Sequence, residues 1–146
     1  MMKYLLLTIY VLMASPDIPD LKANYFDSSF MQSKIKHEWL ILNDINQLEK
    51  IATSSESKPV IIYKHSTRCG VSTAAKKRLE KGWGQLKSKF DLYYLDIFMY
   101  RDISDQIAIL YNVKHESPQI LIIYKGKVIY HTSHYDITIK NILAHV

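Results

Sequence analysis

One cysteine, Cys69, stands in the whole 146-residue chain. That scarcity excludes an intramolecular disulfide and any metal site built from several cysteines. Nowhere else does the chain carry zinc-ligand spacing. Long apolar runs are missing as well. The leading one, from Tyr4 to Ala14, is too short to cross a bilayer as a helix, so no stable membrane span is expected. No run of lysine and arginine exceeds Lys76-Lys77-Arg78, which falls inside a helical pattern. Nucleic acid is therefore not an expected partner, in spite of a formal charge of +5. Internal repeats and low-complexity tracts are absent too.

What is present fits a single domain with a tail. A hydrophobic fraction of 48% can build a core, and a charged fraction of 23% is ordinary for a globular chain. Lys3 and Lys22 against Asp17, Asp20 and Asp27 leave the first thirty residues at −1, so the remainder carries +6. Residues 1–34 read as an N-terminal arm and residues 35–146 as the folded domain. The first fourteen residues have the size of a signal-peptide core, but Ala14-Ser15-Pro16 is a poor cleavage region. A cytoplasmic location is expected, with export if that segment acts as a signal; Met31 offers an internal start.

Within the domain, apolar periodicity sets the elements. Trp39-Leu40-Ile41-Leu42 predicts a short strand. Asp44 and Gln47 have capping-box spacing before a helix whose apolar face is Ile45, Leu48, Ile51 and Ala52. Pro59 to Lys64 is too continuously apolar for a half-exposed strand, which predicts a central one. A helix follows, with Val71, Ala74, Ala75 and Leu79 on one face, ending near Gly82-Trp83-Gly84. Phe90 to Asp96 predicts a strand. Arg101 to Asn112 predicts a helix facing inward through Ile103, Ile107, Leu110 and Tyr111. After His115-Glu116-Ser117-Pro118-Gln119 come the strand Ile120–Tyr124, a tight turn at Lys125-Gly126, and a partner strand from Lys127 to His131. Asp136 is expected to cap a last helix. The order β-α-β-α-β-α-β-β-α predicts an α/β fold with a central mixed sheet flanked by helices. With a cysteine at a helix start and a later proline just before a strand, this is a thioredoxin-like arrangement.

Cys69 thus falls on the turn between strand and helix. Unpaired N–H groups and the positive end of the helix dipole favour a thiolate there. A free thiol titrates near ~8.5, and helix N-termini with cationic neighbours bring it to about 3.5–7.5. Arg68, His65 and Lys64 supply a basic approach that is expected to lower the thiol pKa and to attract an anionic ligand. Lys76, Lys77 and Arg78 are expected on the solvent face of the helix, and His115 and Glu116 in solvent.

Three stretches together, Lys64-His65-Ser66-Thr67-Arg68-Cys69-Gly70-Val71-Ser72, the second signature His115 to Gln119, and the hairpin Ile120 to His131, resemble the monothiol bacilliredoxins of the YtxJ type. These are thioredoxin-fold proteins of the bacillithiol redox system, and the resemblance runs from about Trp39 to Val146. It implies removal of bacillithiol from S-bacillithiolated client proteins. Bacillithiol acts as co-substrate, no cofactor stays bound, and no metal is required. Cys69 is implied as the nucleophile. Ser72 stands where dithiol relatives keep a resolving cysteine, so a second low-molecular-weight thiol must release the adduct. Arg68 would meet the two carboxylates of the bacillithiol malate. His65, Thr67 and Gly70 line the approach. Pro118 resembles the cis proline that faces the cysteine in this fold, with Ser117 offering backbone groups to an extended substrate. The family usually has proline or another residue where this chain has Gly70.

Two other readings stay open. Cys69-Gly70-Val71-Ser72 is one residue from the motif of monothiol glutaredoxins, which bind glutathione and often an iron–sulfur cluster. Those proteins carry a Gly-Gly-Asp-type segment where this chain has His131 to Asp136. The other reading is a thioredoxin-fold binding module whose thiol is idle.

Overall fold

The computed structural model describes residues 39–146. The arm, its signal-like segment and Met31 lie outside the described residues. Along the chain run β1 (Leu40–Ile41), α1 (Gln47–Ser54), β2 (Val60–His65), α2 (Gly70–Lys81), α3 (Trp83–Lys89), β3 (Asp91–Asp96), α4 (Arg101–Tyr111), β4 (Gln119–Tyr124), β5 (Lys127–Ser133), a 3-10 turn (His134–Asp136) and α5 (Ile139–Leu143).

The strands order as β1-β3-β2-β4-β5 in one sheet. β3 lies parallel to both β1 and β2, while β4 runs antiparallel to β2 and β5 to β4. The expected mixed sheet is therefore present. Strand β2 is paired on both edges and buried at all six positions, as its unbroken apolar run requires. The hairpin turn places Lys125 and Gly126 at positive φ, 52° and 69°, which suits a two-residue loop matched to strand twist. Lys125 N–H donates to the Ser55 carbonyl and Gly126 N–H to Ser55 Oγ, both at 2.9 Å, which ties the hairpin tip to the end of α1.

Each sheet face carries its own core. One is rich in aromatics: Trp39, Tyr63, Phe90 and Tyr94, packed against Ala75 and Leu79 of α2, Leu86 of α3 and Ile142 of α5. The other is aliphatic: Val60, Ile62, Leu95, Leu121 and Ile123, packed against Leu48 and Ile51 of α1 and Ile103 and Ile107 of α4.

Several local expectations need correction. The cysteine helix ends at Gly82 as expected, but a second helix, α3, which the sequence pattern does not show, starts at Trp83. Gly82 has a φ of −102°, not a left-handed cap. A Cβ there would lie 2.5 Å from side-chain carbons of Ile139, which would have to move to admit it. The buried face of α2 is Ser72, Ala75 and Leu79; Ala74 is exposed and Val71 only half-buried. Leu110 of α4 is 53% exposed, since that helix ends one residue later and Asn112 turns left-handed at φ 52°. Asp136 lies in the 3-10 turn, and α5 is capped by Thr138, whose side chain accepts from Asn141 N–H at 3.1 Å. The capping box forms in half. Gln47 Oε1 accepts from Asp44 N–H at 2.9 Å, whereas Asp44 Oδ1 takes Asn46 N–H at 2.8 Å.

Candidate active site

The site gathers at one end of the sheet, where β2 and β3 finish and β4 begins. His65 is in register with Asp96, and Lys64 with Gln119, the residue after Pro118. Loops 66–69, 97–100 and 112–118 therefore leave the same edge, which in parallel α/β sheets is where ligands bind.

Cys69 is the N-cap of α2, in extended conformation at φ −116° and ψ 120°. Its N–H donates to the Ser66 carbonyl at 3.1 Å, which closes a tight turn. The backbone N–H groups of Ser72 and then Val71 point at the sulfur and hold the thiol below its ordinary value. Slight burial opposes them and the Ser72 hydroxyl assists. The free donors of the helix start thus supply the thiolate stabilisation expected of them.

Ser72 is fully buried. Its Oγ accepts from Ser66 N–H at 3.2 Å while its hydroxyl serves Cys69, so one side chain closes the turn and stabilises the sulfur. Beneath it, Tyr63 OH donates to the Ser72 carbonyl at 2.8 Å. That hydroxyl also lies 3.3 Å from His65 Nδ1. The single Tyr63 proton is committed to Ser72, so His65 Nδ1 is the donor in that pair.

His65 does not join a basic approach. Its ring is buried between Tyr63 and Tyr94, at centroid distances of 5.7 and 5.3 Å. Burial, with the Lys76 charge adding, brings its pKa down to about 4, so it is neutral at pH 7 and cannot act as the expected cation. Lys64 is also lost to the approach: it alternates to the opposite face of β2, is fully buried, and donates to the Ser104 carbonyl at 3.3 Å. Burial brings its pKa down to about 8.

Arg68 is exposed, with its guanidinium carbon 3.7 Å from the centroid of the Phe98 ring. Neither Arg68 nor His65 accounts for the low thiol pKa. Thr67 and Gly70 are exposed beside Cys69, and the Thr67 hydroxyl donates to Asp96. A side chain at Gly70 would meet nothing within 4 Å.

The Ser117–Pro118 peptide bond is cis, as expected. Pro118 is buried, and its carbonyl accepts from His134 N–H at 3.0 Å. Ser117 Oγ is buried with no partner. His115 and Glu116 are not simply solvated: His115 Nδ1 lies 2.9 Å from Ser104 Oγ, and Glu116 accepts from Ser133 Oγ. Arg78, expected in solvent, donates to the Ile137 carbonyl at 3.1 Å and the His134 carbonyl at 2.9 Å, and so ties the segment after β5 to α2.

Sequence reasoning missed three contributors: Tyr63, Asp96 and Phe98. The register of two parallel strands ending together could have pointed to Asp96. Tyr63 is set by tertiary packing and Phe98 by the loop after β3, and neither shows in the sequence pattern.

A family model described as monothiol bacilliredoxin BrxC matches residues 41–142. Among solved structures, the chain is similar to one described as a candidate oxidoreductase with a thioredoxin fold. That match has 32% identity and a TM-score of 0.67, and covers 76% of this chain and 96% of the other. It is also similar to a thioredoxin from Nicotiana alata, with 17% identity, TM-score 0.60, and 74% and 92% of the two chains covered. For a thioredoxin from Fasciola hepatica the figures are 18%, 0.57, 73% and 98%. At those last two identities the likeness shows the fold alone.

Proposed function

The protein is a thiol oxidoreductase of the monothiol bacilliredoxin family, and from that premise we propose that it removes bacillithiol from S-bacillithiolated proteins through a mixed disulfide on Cys69. The observation that carries this reading is the placement of Cys69 at the N-cap of α2. There its sulfur meets the N–H groups of Ser72 and Val71 and the Ser72 hydroxyl. The thiolate attacks the bacillithiol sulfur of the client disulfide, the client leaves as a thiolate, and Cys69 keeps the bacillithiol. The sequence holds no second cysteine, so a free low-molecular-weight thiol must attack the adduct to close the cycle. A reducing cytoplasm, where such thiols are abundant, is the compartment this reaction calls for. Among the described residues no helix is long and apolar enough to cross a membrane.

Each remaining residue has a part in this reading. Arg68 faces the carboxylates of the small thiol, Thr67 and Gly70 border its path, and the backbone of Ser117 before cis-Pro118 pairs with the client chain. His65 supports α2 from below and does not touch the ligand. The test is intact-mass measurement of the reduced protein after exposure to bacillithiol disulfide and, separately, glutathione disulfide. The expected result is a bacillithiol adduct on Cys69 that forms faster than the glutathione adduct. Equal or faster reaction with glutathione would contradict the assigned thiol.

A further inference from the structure

Arg68 has no carboxylate partner among the described residues. Its guanidinium lies over the face of Phe98, 3.7 Å from the ring centroid. That contact has a chemical consequence. A guanidinium lying over an aromatic ring uses its face, and its N–H groups radiate in its own plane. The donor fork therefore stays available for a bidentate carboxylate, whereas an ion pair within the protein would have consumed it.

Phe98 is 49% exposed, so burial does not explain where its ring sits. Asp96 does. That carboxylate is only 3% exposed and accepts from Phe98 N–H at 2.9 Å, from Met99 N–H and from the Thr67 hydroxyl. Ile97 N–H donates to the His65 carbonyl at 2.9 Å as well. The loop bearing Arg68 and the loop bearing Phe98 are thus tied together at two points, Thr67 and His65, two and four residues before the nucleophile.

We propose that Phe98 is a positioning residue that holds Arg68 as an anion-reading arm beside Cys69, so that the site selects mixed disulfides whose small-thiol half carries carboxylate. This deepens the bacillithiol reading and rests on it for the ligand class. The reaction is unchanged: the Cys69 sulfur attacks the cap sulfur, the cap–client S–S bond breaks, and the client departs as a thiolate with the electron pair. The disulfide is the oxidant, and no other is needed.

The test uses one client peptide capped in turn with 3-mercaptopropionate, 2-mercaptoethanol or cysteamine. The departing client is then the same in all three cases. Single-turnover transfer of each cap to Cys69 is followed by intact mass. Phe98→Leu is expected to slow transfer of the anionic cap about three-fold and to leave the neutral cap unchanged. The pH profile of neutral-cap transfer, which reports the Cys69 thiolate, should not move, and Phe98→Trp should retain the anionic rate. A loss equal for all three caps, or no loss with the anionic cap, would overturn the assignment. If bacillithiol itself fails as a cap on the wild type while the anionic preference persists, the bacillithiol reading falls and the role of Phe98 stands.

Discussion

The two faces of the sheet are built from different chemistry. On the aliphatic face, Val60, Ile62, Leu121 and Ile123 meet Leu48 and Ile51 of α1 and Ile103 and Ile107 of α4, and the tyrosines there, Tyr93, Tyr100 and Tyr111, are only partly buried. On the aromatic face, Tyr63 and His65 pack like core residues yet carry polar tips that reach the Ser72 carbonyl and each other under the start of α2. An aromatic ring can fill a core and still deliver a hydrogen bond at its far end; an aliphatic side chain cannot. The cysteine therefore rests on the face that can hold its helix by directed bonds, and the other face supplies stability. Lys64 breaks the pattern, since it is a fully buried amine at the aliphatic side.

The largest expected effect separates the faces. Ile62→Ala removes a fully buried side chain from the aliphatic core and should cost about 2–5 kcal/mol of unfolding free energy. Urea denaturation reads the loss, and the pH profile of Cys69 alkylation should stay where it is. Tyr63→Phe on the other face should cost less, about 1 kcal/mol, but should shift that profile, because the bond to Ser72 is gone. A profile unmoved by Tyr63→Phe would remove the distinction between the faces.

The buried bases give the next effect. Both have folded-state pKa values below their unfolded ones: His65 about 4 against 6.5, Lys64 about 8 against 10.5. The unfolded chain therefore binds more protons in each window, and stability rises with pH from 4 to 6.5 and again from 8 to 10.5. Each window is worth up to about 3 kcal/mol. Urea midpoints across pH should show His65→Phe flattening the acid rise and Lys64→Met flattening the alkaline one. Lys64→Met should also be more stable than the wild type at pH 7, since it no longer buries a charge. An unchanged alkaline rise in Lys64→Met would show that another group carries it.

How far the sequence led depends on what each feature is made of. Cys69 at a strand-to-helix turn was legible because hydrophobic period changes there from continuous to helical; cis-Pro118 was legible only through the family resemblance, since its place before a strand would suit a trans proline equally. Ser72 was legible as a position but not as a buried one. Period alone put Val71 and Ala74 inward, whereas packing of α2 on the Tyr63 side rotates Ser72 under the turn. The chain also suggested a basic cluster from Lys64, His65 and Arg68. Strand alternation sends Lys64 and His65 to opposite faces, both buried, so only Arg68 remains outside. Gly82 was legible as the end of α2, but helix α3 was missed because it follows after that single residue.

Smaller effects sharpen the account of the turn. Ser72→Ala should raise the Cys69 pKa by removing one of its donors. It should also cost about 1 kcal/mol of stability, because Ser66 N–H loses its acceptor; thiol alkylation against pH and urea denaturation check the two halves. Smallest of all, Gly70→Pro should be tolerated or stabilising by about 0.4–1 kcal/mol. Gly70 opens the helix, and Cys69 already holds a conformation that suits the residue before proline. The thiolate donors are Val71 and Ser72, so Cys69 reactivity should survive. A thermal melt and an alkylation assay decide it.

The most direct test of the central claim mixes an S-bacillithiolated client with stoichiometric reduced protein and no free thiol, and weighs both partners. One bacillithiol is predicted to leave the client and appear on Cys69, and the reaction should stop there until a small thiol is added; Cys69→Ser should leave the client unchanged. Clearance of the client by Cys69→Ser, or repeated turnover by the wild type without added thiol, would contradict the account.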